Sequence, residues 1–231
     1  MENKMEKEWK RREGKEKEKK ELTLVGLVFS WSLEDILNEK LFHGKVHKIP
    51  KTFNSVNQYL KAYINPLIEE TRAELCSCML GFSRLPFTEI HYVETTLSPK
   101  LFLCIVKVDI QDKKNYIPQK GDLFALSNVR PSHLSDLTRF GKSYNIGLVT
   151  KGGEFDEDLP PGHYIVEVSK AIETGEYGEK QKEPRLLFAV SLMNITTNSR
   201  IWSALNVDVS NTLRNLSIVK QVLCTNFKMV L

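Results

Sequence analysis

At 231 residues, with 41% apolar and 27% charged side chains, the chain has room for one good-sized domain plus a tail and is too hydrophobic for wholesale disorder. A formal charge of +4 falls well short of the excess that by itself marks a nucleic-acid-coating protein, so charge selects no partner. Four cysteines (Cys76, Cys78, Cys104, Cys224), no apolar leader near Met1 and no run of about 20 apolar residues predict a reducing compartment, nuclear or cytoplasmic with the nucleus favoured, and no membrane contact.

Residues 1–21 are nearly all Lys, Arg and Glu, with too little apolar surface to offset the entropy of ordering, and are expected to be a solvated tail. Lys10-Arg11-Arg12 followed by Lys15, Lys17, Lys19 and Lys20 is the one feature there that fits a nuclear address or a phosphate-touching arm. The remainder, 22–231, reads as a single domain. Its helical part spans 30–80. Ser32 with Asp35 three residues on is a capping box, and Leu33, Ile36, Leu37 and Leu41 follow at helical spacing. Ser55 with Gln58 opens a longer stripe, from Val56 through Tyr59, Tyr63, Leu67 and Ile68 to Leu75. Pro66 lacks an amide donor and is expected to kink or split that helix.

After Pro86 the pattern changes to short runs rich in Val, Ile, Leu and Phe: 87–93, 101–108, 122–126, 146–150, 164–169 and 186–194. Turn chemistry separates them, at Ser98-Pro99, Lys120-Gly121-Asp122, Gly152-Gly153 and Pro160-Pro161-Gly162. About six strands in a row, with no helix between each pair, predict an antiparallel β-barrel over 87–194, flanked by N-terminal and C-terminal helices, an α+β fold. Tyr164, Val166 and Val168 alternate as a strand with one solvated face does; the run from Leu101 to Val106 is apolar throughout, as a strand covered on both faces would be. Closing helices are expected over 197–225, from Ile201, Trp202 and Leu205 and from Leu213, Leu216, Ile218, Val219, Val222 and Leu223 after the cap candidate Asn211.

Catalytic motifs are unmotivated. Gly141-Lys142-Ser143 resembles the end of a phosphate-binding loop, but Asp136 stands where that loop needs its first glycine, and a carboxylate there would repel the phosphates. Cys76 and Cys78 have no second pair at zinc-ligand spacing, and the five histidines are dispersed. Neither a nucleophile elbow nor a His-Glu-x-x-His helix occurs. No catalytic residue, metal, cofactor or small-molecule substrate is therefore predicted. The mixture that does have a chemical use is Lys107, Arg130, Arg139, Lys142 and Lys151 with Tyr144, together with Lys120 and Phe140. Cations for phosphates and rings for base stacking are what a single-strand groove needs, although surface lysines and core aromatics produce the same pattern. The acidic loop Glu154 to Asp158 would oppose such binding within a Debye length.

Several blocks carry a family likeness: Phe29-Ser30-Trp31-Ser32-Leu33-Glu34-Asp35-Ile36, the Ser55 to Leu75 stripe, Gly121-Asp122-Leu123-Phe124-Ala125-Leu126, Ser135-Asp136-Leu137 with Gly141-Lys142-Ser143, and Asn194-Ile195-Thr196-Thr197-Asn198 through Trp202. Over residues 27 to 225 the chain resembles the N-terminal accessory region of plant senataxin-like helicases of superfamily 1, including the MAGATAMA type. The resemblance implies helices and a small β-barrel that precede the motor domain and lean over its nucleic-acid channel. It implies single-stranded RNA or DNA and the motor itself as partners. The family's phosphate-binding loop and later helicase motifs have no counterpart in the 231 residues, so no catalytic residue is carried over. Two functions remain open: a non-catalytic module that assists nucleic-acid handling, or a protein-interaction module docking through helix faces such as Tyr59, Tyr63, Trp202 and Val219.

Overall fold

The computed structural model describes residues 23–96, 102–109, 116–127, 130, 132–138, 144–152, 159–170 and 187–207. The elements are α1 (Leu24–Ser30), α2 (Leu33–Leu37), α3 (Val56–Leu80), β1 (Phe87–Thr96), β2 (Phe102–Val108), β3 (Asp122–Ser127), β4 (Asn145–Gly152), β5 (His163–Val168), β6 (Leu187–Asn194) and α4 (Thr196–Leu205). The six strands close into an antiparallel barrel in the order β1-β2-β5-β4-β3-β6, with helices before and after it in the chain. The expected α+β architecture and its helix–barrel–helix order are thus both present. The second closing-helix cluster, from Asn211 onward, and the charged tail 1–21 lie outside the described residues.

The first three helices start where a side chain supplies a cap, at Thr23, Ser32 and Ser55. The Thr23 hydroxyl accepts from the Gly26 amide and starts α1, a helix that the sequence reading missed because only Leu24 and Val28 of its seven residues are buried. At α2 the capping box is complete: the Ser32 hydroxyl takes the Asp35 amide at 3.1 Å, and the Asp35 carboxylate takes the Ser32 amide at 2.9 Å. Those bonds hold the Asp35 pKa below the ordinary carboxylate range. The helix is shorter than expected and ends at Leu37, leaving Leu41 in the following turns. Buried Arg72 closes its far end, donating to the Ile36 carbonyl at 2.7 Å while Glu69 holds the rest of the guanidinium.

Pro66 does not split α3, which continues for 25 residues through it. Proline removes one amide donor, whereas Leu67, Ile68, Thr71, Leu75 and Met79 bury a continuous stripe against the rest of the molecule. Packing over several turns outweighs the cost of an interior proline, about 3 kcal/mol.

Two separate apolar clusters explain the layering. One fills the barrel lumen, with Ile90, Val106, Phe124, Val149, Tyr164 and Val166 among its members. The other lies outside the barrel wall, where Leu123, Ala125, Ile146, Val190 and Leu192 meet Leu24, Val28, Ile36, Leu75 and Met79 of the helices. Successive residues of β3 belong alternately to the two, so all six of its residues are buried. On β2, Cys104, Val106 and Val108 point inward, Leu103 and Ile105 are half-buried, and Phe102 is 52% exposed. The doubly covered strand is therefore β3, and the sequence reading had assigned that role to β2. An apolar run reports burial but does not report which layer supplies it.

Candidate nucleic-acid interface

The helices wrap the β3–β6 side of the barrel and leave the outward side chains of β2 and β5 outside both apolar clusters. Across this open wall Leu103 is in register with Glu167, Ile105 with Ile165, and Lys107 with His163. Strand β4 continues it on the far side of β5, where Lys151 is in register with Ile165 after a bulge at Thr150. Lys107 and Lys151 are both exposed, each one residue from the C-terminal end of its strand. Because both strands flank β5 and their partners on it, His163 and Ile165, are two residues apart, the two lysines lie about 12 Å apart across the sheet. His163 stands beside Lys107 on β5, half-buried, with Nδ1 3.2 Å from the Pro161 carbonyl. A carbonyl only accepts, so Nδ1 carries the proton and donates.

The other candidates stand elsewhere. Arg130 is exposed, and its guanidinium carbon sits 4.5 Å above the Phe87 ring, a cation–π contact that leaves the N–H edges available for an anion. Phe87 itself packs on the helix-side cluster. Tyr144 is half-buried against that same cluster, and burial, with a smaller contribution from Asp35, raises its hydroxyl pKa. It precedes the first residue of β4, whereas Lys151 is near the last, about 23 Å further along the strand. Arg139, Lys142 and Phe140 lie outside the described residues, as does the acidic loop 154–158. Lys120 is an exposed turn residue whose carbonyl accepts from Asn194 Nδ2 at 3.1 Å. Of the predicted set, the structure brings Lys107 and Lys151 onto one wall and puts Arg130 and Tyr144 on the helix-wrapped side.

Two features of importance escaped the sequence reading. Glu167 lies on the open wall between β2 and β4, and burial raises its pKa above the usual carboxylate range. An acid placed there works against phosphate binding, and its alternation with Val166 and Val168 was its only signal. The second is a polar knot at one end of the barrel. Asp122, 3% exposed, takes the Tyr116 hydroxyl at 2.9 Å and the Gln119 amide at 2.7 Å on one oxygen, and Asn194 Nδ2 at 2.8 Å on the other. A β-carbon on Gly121, whose φ is +92°, would meet Thr196 Oγ1 at 2.0 Å, so only glycine fits where the β3 turn crosses the start of α4. The blocks Gly121–Leu126 and Asn194–Trp202, far apart in the chain, are thereby joined.

Chemistry that needs an activated group finds little here. The Cys104 thiol is 1% exposed and burial pushes its pKa up to about 12, so it stays protonated at neutral pH. Burial also raises the Cys78 pKa. Among the described residues no three His, Cys, Asp or Glu side chains gather in a metal-holding group, and no helix is long and apolar enough to cross a membrane. Asp136, which counted against a phosphate loop, instead caps a short 3-10 helix (Leu134–Leu137), accepting from the Ser132 and His133 amides at 3.0 and 2.9 Å.

A search among curated proteins finds no match to this sequence. A family model described as "Domain of unknown function (DUF6469)" matches residues 20–230, which covers the helices and the barrel and omits most of the charged tail. The chain belongs to that family.

Proposed function

We propose that this domain is a non-catalytic accessory module of a senataxin-like RNA or DNA helicase, and that it assists the motor by contacting single-stranded nucleic acid through the open wall of its barrel. The observation that carries this reading is the placing of Lys107 and Lys151 on a wall that, among the described residues, the helices leave uncovered. Their spacing of about 12 Å suits phosphates along one strand rather than a single anion held by both. The half-buried apolar side chains Leu103, Ile105 and Ile165 offer bases a surface to lie on. Arg130, raised on the Phe87 ring, supplies a further cation on the neighbouring face, and Arg139 and Lys142 complete the proposed set. The family likeness in the helical and Asn194–Trp202 blocks supports the helicase context.

Titration of fluorescently labelled single-stranded RNA and DNA at low and at moderate salt tests the reading. It expects weak binding that falls steeply with salt, because phosphate contacts release counterions. Absence of binding at low salt removes the nucleic-acid function. A second reading has its own observation, the half-buried apolar side chains Leu103, Ile105 and Ile165 on that wall. Under it the same wall docks on a helicase motor or another protein. Salt-insensitive capture of a separately expressed motor fragment, lost in Ile105→Asp, would favour that reading over the first.

A further inference from the structure

We infer that the connection between α2 and α3 is a second contact surface for single-stranded nucleic acid, built on the helical layer rather than on the barrel wall; the inference rests on the nucleic-acid reading above. From Glu39 to Lys51 this segment holds Lys40, Lys45, Lys48 and Lys51, with His43 and His47, against one acid, Glu39, in a chain whose formal charge is only +4. All four lysines and both histidines are exposed, and among the described residues none of these lysines forms an ion pair. The first turn of α3, into which the segment leads, holds no acid either.

A run of lysines is ordinarily a solvated stretch without fixed shape, but here the backbone beneath it is held. Phe42, 8% exposed, packs on Trp31 with ring centroids 6.1 Å apart, and its carbonyl takes the Lys45 and Val46 amides at 2.8 and 3.1 Å. Asn65 Nδ2 of α3 donates to the Lys45 carbonyl at 2.9 Å. At the far end Phe53, 4% exposed, meets the Tyr59 ring edge-on at 5.2 Å, and the Asn54 amide donates to Gln58 Oε1 at 2.8 Å. The two phenylalanines point in and the cations are left out, so a ligand finds a backbone already ordered.

Spacing then selects the partner. Lys45, Lys48 and Lys51 recur every third residue, at most about 10 Å apart along the backbone. One small anion cannot span such a row, whereas successive phosphates of an extended strand can meet it cation by cation. The rings continue past Phe53 as Tyr59 and Tyr63, half-buried with centroids 5.1 Å apart, and give bases an aromatic surface. A membrane would require an apolar face as well, and Val46 is the one exposed large apolar side chain of the segment.

Titration of labelled single-stranded RNA into the full chain tests the surface. Lys45→Gln/Lys48→Gln/Lys51→Gln is expected to weaken binding at least about fivefold at low salt and to flatten the slope of log affinity against log salt by about 2. Arg84→Gln/Lys170→Gln/Arg200→Gln removes the same charge from scattered exposed positions and is expected to do less than half as much. Weakening by the segment variant with the Lys107→Gln/Lys151→Gln variant unaffected would uphold this surface and remove the barrel wall. The reverse result would overturn the inference and leave the barrel-wall reading standing. Equal effects of the segment and scattered variants would also overturn it, as would loss of binding to phosphatidylserine vesicles or to polyglutamate with RNA binding intact.

Discussion

β2 and β3 are strands of one barrel with similar apolar sequences, yet one has all six residues buried and the other alternates between lumen and solvent. The difference arises outside the barrel, where α1, α2 and α3 lay a second apolar layer on β3, β6 and the first half of β4, while the described outward side chains of β2 and β5 stay outside it. A closed barrel satisfies its own backbone hydrogen bonds and needs no helices for that purpose. The helices therefore make one wall structural and leave the other available. The lysines on the available wall can be exchanged without touching either core cluster.

The largest expected effect follows from the structural wall. Leu123→Ala, at a fully buried site facing the helices, should cost about 2–5 kcal/mol in chemical denaturation, whereas Ile105→Ala on the open wall should cost about 1 kcal/mol. Equal losses would erase the distinction between the walls. Next comes the knot at the barrel end. Asp122→Ala strands the Tyr116 hydroxyl, the Gln119 amide and an Asn194 donor, and about 1–3 kcal/mol of lost stability is expected from the same denaturation measurement.

The smallest effect concerns Glu167 on the open wall. Burial raises its pKa in the folded state, so the stability tied to its protonated form is complete below the ordinary carboxylate range and is lost as pH rises through the raised value. Glu167→Gln should therefore be slightly more stable than the wild type at neutral pH. The difference should shrink as pH falls, by a modest amount because the group is partly solvated and screened. A variant less stable than the wild type at neutral pH would show that the carboxylate has a partner it needs.

Much of the fold was legible because its signals are local. Strand runs bounded by Gly and Pro turns located all six strands to within a few residues, and the Ser32 and Ser55 hydroxyls marked two helix starts. Pro66 does not split α3 because the local rule is set against the long-range packing of the α3 stripe. β2 misled because side-chain hydrophobicity cannot say whether a helix or water lies beyond it. The site was less legible for the same reason. Lys107 and Lys151 become neighbours only through β5, which follows both in the chain, and Asp122 meets Asn194 from 72 residues away. Contacts of that kind are set by strand order, which no short motif records.

The most direct test of the open wall as a nucleic-acid surface is the salt dependence of single-stranded RNA binding by the double variant Lys107→Gln/Lys151→Gln beside the wild type. Loss of two phosphate contacts should weaken binding at low salt and flatten the slope of log affinity against log salt by about 1.4. Identical affinity and slope for the two proteins would contradict the assignment of this wall.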